Sequence, residues 1–552
     1  MEIETGGNEA VDSMRRVGRQ AARGLALAAL GLFTLTMVGC GGASGGGESS
    51  GGDGCAGAVG PGLFFAASDG ASGVELWKTN GTDAGTVCVK NINPGAGSTP
   101  LGLTVFNGAL YFLANDGSSG AELWKSDGTV AGTVRVKDIN PGPIGSSPSG
   151  FTVFNGALYF AANDGTSGVE LWKTNGTEAG TVLVKDINTG PGNSAPFGFT
   201  VYNGALYFAA NDGASGFELW KTDGTGAGTV LVKDINTGAG SSSPFGFTVF
   251  NGINDGASGA LYFRADGGAA TGIELWKTNG TDAGTVLVKD INTGAGSSAP
   301  VGFTVFNGTN DGANGALYFS ASDGVELWKT DGTSNGTQLV KSWAVPSFPS
   351  SGFTVFHGAN DGANGALYFR ADDGVSGLEL WKSDGTTAGT VLVKDINPGL
   401  ATSFPLGFTV FNGALYFAAN DGTSGVELWT TDGTANGTML VKDISPTDSN
   451  PSGLTVFNGA LYFAADDGTS GVELWKTDGT VTGPVLVKDI SLGGTDSNPS
   501  GFTAFNGALY FQADDGTAGI ELWKTDGTEF GTVQVKDINP AGNSSPTQLT
   551  PF

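Results

Sequence analysis

The sequence predicts an all-β protein, a β-propeller of about ten four-stranded antiparallel blades closed by its C-terminal strand, with two smaller propeller lobes as the alternative. Three observations carry this reading. Glu-Leu-Trp recurs ten times, at Trp77, Trp124, Trp172, Trp220, Trp276, Trp328, Trp381, Trp429, Trp475 and Trp523, with a period of about 48 residues that marks propellers and solenoids. Each unit holds four short apolar runs parted by turn signals, and the end of the chain supplies a strand that the opening unit lacks.

The unit from Phe151 to Asn188 shows how the elements arise. FTVF leads through Asn-Gly into ALYFAA, NDGTSG leads into VELWKT, and NGTEAG leads into TVLVKDIN. Asn-Gly between apolar runs is a strong hairpin signal, because a type I′ turn needs positive φ at both central residues. Four strands joined by three tight turns make an antiparallel meander. The runs are almost continuous in Val, Leu, Phe, Tyr and Trp, so both faces of each sheet need cover, and stacked blades provide it.

The first unit opens at Leu63 with LFFAASDG and no preceding FTVF, whereas Leu549 to Phe552 match FTVF with no hairpin partner after them. A terminal strand that completes the first blade leaves no bare hydrogen-bonding edge. Units five to seven are irregular. Each carries seven extra residues in its first hairpin turn, Ile253 to Gly259, Thr309 to Gly315 and Ala359 to Gly365. Three adjacent enlarged loops on one rim are a candidate functional elaboration; neutral duplication of a tolerated insertion is the other reading.

Composition narrows the function. The net charge of −27 argues against nucleic acid, since phosphate neutralisation needs clustered Lys and Arg. An acidic surface suits solubility, divalent cations or cationic partners. Glycine supplies 96 of 552 residues, yet 39% are apolar and no Gly-X-Y period runs, which fits a turn-rich fold better than collagen or a disordered chain.

Residues 1–40 read as a signal peptide. From Met14, a candidate start, Arg15, Arg16, Arg19 and Arg23 precede an apolar run from Leu25 to Val38, then Gly39 and Cys40. A small residue before cysteine is similar to the lipobox of bacterial lipoproteins, which makes Cys40 the lipidation candidate. The run is about 15 residues, short of the roughly 20 that span a bilayer. Residues 41–60 read as a Gly/Ser-rich tether, and 61–552 as the propeller. Cys55 and Cys88 remain as an even pair in an oxidising compartment, either a disulfide or two free thiols. The expected location is the cell envelope, outside the cytoplasm, lipid-anchored to the outer membrane or cell surface.

The repeated residues each carry a bland and a sharp reading. If Thr174 lies opposite Thr181, Trp172 faces Leu183 and Glu170 faces Lys185, so the glutamates read as cross-strand partners of lysine; a ring of catalytic or metal-binding carboxylates is the alternative. The ten tryptophans read as interblade core, because burying an indole removes about 150–250 Å² from water, roughly 4–6 kcal/mol before entropy. Trp343, in KSWAVPSFPS, stands outside the motif and either fills a local gap or joins Phe348 in an exposed aromatic spot. Asp116, Asp164, Asp212, Asp421, Asp467 and Asp515 sit in second-hairpin turns, where Asp is an ordinary turn former. Ca²⁺ ligation is their alternative role, without the alternating pattern of known calcium loops; no other cofactor is implied. The single histidine, His357, leaves no His-based triad.

The ELWKTDGTxAGT string, followed by VLVKDI, resembles the bacterial ELWxxDGT repeat family over roughly Leu63 to Phe552. Departures include Thr430 for lysine, Pro484 for threonine and the shortened SASDGVELW of unit six. The resemblance implies repeat architecture and a surface location, and it carries no catalytic residues. The expectation is therefore a non-enzymatic, monomeric binding, adhesion or scaffold module for an extracellular glycan or protein, touching the membrane only through its lipid. A carbohydrate-active hydrolase using channel carboxylates and a purely structural envelope protein are the alternatives.

Overall fold

The computed structural model describes Cys55 and residues 61–552, apart from positions 323, 344–352 and 481. The expected signal peptide with Cys40, the expected tether other than Cys55, and Phe348 lie outside the described residues.

Forty strands form ten four-stranded antiparallel sheets, the blades, numbered here from the one that opens at Leu63. Blade 3 consists of Ser149–Phe154, Ala157–Asn163, Val169–Thr174 and Val182–Lys185. Its first turn has positive φ at both Asn155 (45°) and Gly156 (73°), the geometry that Asn-Gly supplies with least strain. In the third strand Trp172 pairs with Phe160 on one side and Leu183 on the other. Thr174 Oγ1 and Thr181 Oγ1 lie 2.8 Å apart across the last hairpin.

The core lies between blades. Tyr159, Leu171, Val184 and Ile187 on one face of blade 3 meet Leu206, Phe208, Ala210 and Trp220 of blade 4, while Leu158, Phe160, Ala162 and Trp172 face blade 2. Alternate residues of each strand thus serve opposite junctions, which is why the sequence runs are apolar at almost every position. Every junction has such a cluster, including those on both sides of the irregular blades. One ring of ten blades results, and the two-lobed alternative falls.

The ring closes as the ends suggest. Thr547–Pro551 joins the sheet of blade 1, with Leu63 opposite Pro551 and Phe64 opposite Thr550. Gly62 and Phe552 exchange backbone hydrogen bonds at 3.1 and 3.0 Å. The Phe552 ring packs edge-on against Phe64 at 5.4 Å. Cys55 and Cys88 are joined by a disulfide that fastens the segment before blade 1 to its last strand.

Nine of the ten motif tryptophans are buried. Trp328 is the exception: in the shortened blade 6 it is half-buried, and its Nε1 donates to Glu326 Oε2 at 2.8 Å. Trp343 takes the place that isoleucine holds at most other junctions. It is buried and meets Trp381 and Phe369 edge-on at 5.7 and 5.9 Å, so it fills a gap in the core.

Candidate functional site

The predicted pairing of Glu170 with Lys185 does not occur. A β-bulge between Leu171 and Trp172 shifts the register by one residue, so Lys185 lies opposite Leu171 and its side chain turns to the next blade. There its Nζ donates to Thr229 O at 2.8 Å and sits 5.7 Å from the centre of the Trp220 ring. Glu170 is fully buried. Its carboxylate accepts from the backbone N–H groups of Ile187, Asn188 and Ser194 at 2.8, 3.3 and 2.9 Å, and from Ser194 Oγ at 2.6 Å. The glutamate thereby anchors the crossover that leads into the next blade. Burial raises its pKa above the ordinary glutamate value, against the pull of those four donors.

The turn aspartates are likewise spent on their own loops. Asp164 Oδ1 accepts from the N–H groups of Thr166 and Ser167 at 2.8 and 2.6 Å. Asp116, Asp212, Asp421, Asp467 and Asp515 repeat the pattern, one to a blade. Partial burial favours the neutral acid of Asp164, but the hydrogen bonds outweigh it and hold the carboxyl below its usual range. Among the described residues no three His, Cys, Asp or Glu side chains come together as metal ligands. The ten innermost strands, whose neighbours meet where blades converge on the axis, carry no Asp or Glu. Channel carboxylates of the kind a glycosidase pairs are therefore not on that wall. His357 is exposed in its turn.

The sites that break the tenfold repeat are the enlarged loops of blades 5, 6 and 7. Each brings an aspartate into a buried cluster that other blades lack. Asp255 accepts from Tyr262 OH at 2.5 Å, from Gly252 N at 3.0 Å and from Lys277 Nζ at 2.5 Å. Asp311 takes the same place against Tyr318, Gly308 and Lys329 at 2.5, 2.9 and 2.6 Å, and Asp361 against Tyr368, Gly358 and Lys382 at 2.5, 2.8 and 2.5 Å. The three carboxylates are 1–2% exposed. Burial, reinforced by the aspartate, pushes the three phenols well above the ordinary tyrosine range, so they stay protonated as donors.

Each loop also clasps the following blade. The N–H groups of Ile253, Thr309 and Ala359 donate to the carbonyls of Asp331, Asp384 and Asp432, all at 2.6 Å. Two adjacent pockets open between these loops. One, of about 520 Å³, is lined by Asn310, Asp311, Lys329, Asp331 and Gln338 among others. The second, of about 440 Å³, is lined by Thr309, Asn360, Asp361, Lys382 and Asp384. Amides, hydroxyls and paired charges converge there, a lining suited to a polyhydroxyl or peptide ligand. Sequence reading found the loops but missed the clusters. The tyrosine and lysine recur in the unmodified blades, and the inserted Asn-Asp-Gly or Asn-Asp-Gly-Ala string reads as an ordinary turn.

No protein-family model and no curated protein matches the chain. Among solved structures it is similar to the computationally designed Ika8 protein, at 15% identity and TM-score 0.31, over 68% of this chain and 96% of that one. It is also similar to virginiamycin B lyase from Staphylococcus aureus, at 17% identity and TM-score 0.26, over 58% and 92%. Prolyl endopeptidases align at 14% identity and TM-score 0.31, over 67% of this chain and 54% of theirs.

Proposed function

We propose that this protein is a lipid-anchored bacterial surface protein of the ELWxxDGT repeat type, acting as a monomeric binding, adhesion or scaffold module. Its ligand, an extracellular glycan or protein, docks on the enlarged-loop face of blades 5–7. The observation that carries this reading is the set of three buried Asp–Tyr–Lys clusters, which stiffen loops around two polar pockets in one sector of an otherwise repetitive ring. Ligand sites need a few residues that depart from the repeat, held rigidly enough to limit the entropy lost on binding. The signal-like segment ending at Cys40 and the acidic surface agree with a location outside the cytoplasm.

The test compares the intact protein with a variant whose three insertions are cut back to plain Asn-Gly turns, on a glycan array and in pull-downs from surface extracts, with a glycan hydrolysis assay beside them. Loss of a captured ligand in the trimmed but folded variant is expected. Turnover abolished by a single carboxylate change would instead support the hydrolase reading.

A further inference from the structure

The channel pockets hold a second departure from the repeat, on different residues. At the second-strand position that pairs with the leucine of Glu-Leu-Trp the blades carry Ala66, Leu113, Ala161, Ala209, Arg264, Ser320, Arg370, Ala418, Ala464 and Gln512. Two arginines thus stand where the others are neutral. Arg370 lines a pocket of about 520 Å³ with Thr354, Phe408, Thr409, Leu454 and Thr455 of the innermost strands, and among the described residues it is the one charge on that lining. Arg264 holds the same position in a pocket of about 470 Å³, again as the one charge.

Each guanidinium lies against a half-exposed phenylalanine. Arg370 is 4.4 Å from the centre of the Phe404 ring and Arg264 is 5.1 Å from that of Phe245; the two rings are 50% and 54% exposed. Phe404 reaches this place at a cost. Its φ is 51°, a left-handed conformation that bulky residues avoid, and the equivalent positive-φ residues elsewhere are Thr99, Ser147, Ala195, Ser243, Ala299, Asn450, Asn498 and Ser545. Strain of this kind persists where the surroundings over-determine it, and it points from the outlier toward a function.

Arg370 is also electrically unfinished. Its Nε and Nη1 are shielded from water and have no hydrogen-bond partner, and no ion pair reaches it among the described residues. Burial pulls its pKa down, as expected for a cation whose lost hydration nothing replaces. In a chain of net charge −27 an unpaired arginine on a wall free of carboxylates is anomalous. The geometry points to a binding site for acidic oligosaccharides in the channel, with Arg370 taking a sugar carboxylate, Phe404 and Phe408 packing on the ring face, and Thr354, Thr409 and Thr455 serving hydroxyls. Arg264, at the equivalent position two blades away, lies against Phe245 on the first strand of its own blade and offers a second guanidinium in a differently built pocket. Guanidinium is suited to planar carboxylate recognition, and aromatic faces with hydroxyl groups suit the two sides of a pyranose. The site is independent of the enlarged loops.

The probe is a galacturonic acid oligomer, titrated by calorimetry beside its neutral methyl ester. Binding of the free acid at least tenfold tighter than the ester is expected, weakening as NaCl is raised. Arg370→Ala places the residue of blades 1, 3, 4, 8 and 9 at that position, so the fold is kept; acid affinity should fall at least tenfold and ester affinity should not move. Phe404→Ser should weaken acid binding while raising the melting temperature, a pairing that a purely structural phenylalanine would not give. Equal affinity for acid and ester, no effect of Arg370→Ala, or no acid binding at millimolar concentration would overturn the site. The loop-trimmed variant, which tests the proposed function, should bind the acid oligomer unchanged.

Discussion

Gln548 on the closing strand grips Pro100 of blade 2. Its Nε2 donates to the Pro100 carbonyl at 2.9 Å, while its Oε1 accepts from the Gly102 N–H at 2.7 Å. In the other blades this position is glycine, and at Gly150 an added Cβ would come within 2.9 Å of the Phe199 ring in the next blade. The glutamine fits because its neighbour is Leu103, where most blades have phenylalanine. Gln548→Ala should therefore cost about 0.5–1.5 kcal/mol in unfolding free energy, the net worth of hydrogen bonds that water can partly replace. Leu103→Phe should destabilise the native chain and be tolerated in a Gln548→Gly background. Additive effects of the two changes in thermal melts would rule out this size matching at the closure.

Ring, blade count and closure were legible because they rest on signals of fixed period: Asn-Gly turns, the tryptophan spacing and the orphan strand at Leu549 to Phe552. The Glu170 assignment failed for a local reason. A bulge leaves no mark in a run such as VELWKT, and counting pairs outward from the Thr174–Thr181 hairpin carries the one-residue error to every position beyond it. The buried Asp–Tyr–Lys clusters were illegible for another reason. Asp311 and Lys329 are 18 residues apart, and their meeting depends on how a loop folds back across a sheet end.

Those clusters yield an asymmetric prediction. Asp311→Ala strips Lys329 of its carboxylate in a place where the lysine side chain is only 16% exposed, and breaking one side of such a pair costs about 3 kcal/mol or more. Deleting Thr309 to Gly315 removes the same aspartate but restores the turn that blades 2, 3 and 4 use, in which Lys125, Lys173 and Lys221 are satisfied by a carbonyl of the next blade. The seven-residue deletion should thus melt above the point mutant. A lower melting temperature for the deletion would mean that the loop, and not the ion pair, carries the stability.

Lipid attachment gives a prediction separate from the fold. If Cys40 is the acylated residue, cells expressing the chain and fed labelled palmitate should incorporate the label, and Cys40→Ser should abolish it and release the protein from the membrane fraction. Label retained in Cys40→Ser would place the attachment elsewhere or remove the anchor from the proposal.

The buried glutamates set the direction of the pH dependence. Burial raises the pKa of Glu75, Glu122, Glu170, Glu218, Glu274, Glu427, Glu473 and Glu521, and pushes that of Glu379 up to about 7. A raised pKa means that the folded chain binds the proton more readily than the unfolded one. The resulting stabilisation is complete below the unfolded value and is lost as pH climbs through the folded one. The turn aspartates Asp116, Asp164, Asp421, Asp467 and Asp515 act oppositely. Their carboxyls are held down by hydrogen bonds that outweigh burial, so their contribution is present above the ordinary aspartate value and disappears as pH falls through the depressed one. Stability should accordingly peak in mild acid, at about pH 5, and decline toward pH 8. Repulsion within a chain of charge −27 pushes the same way, so the melts belong in about 0.5 M NaCl, where surface charges are screened within roughly 4 Å and buried groups are not. A melting temperature that rises from pH 5 to 8 under those conditions would show that the three or four donors around each glutamate, and not its burial, decide its charge.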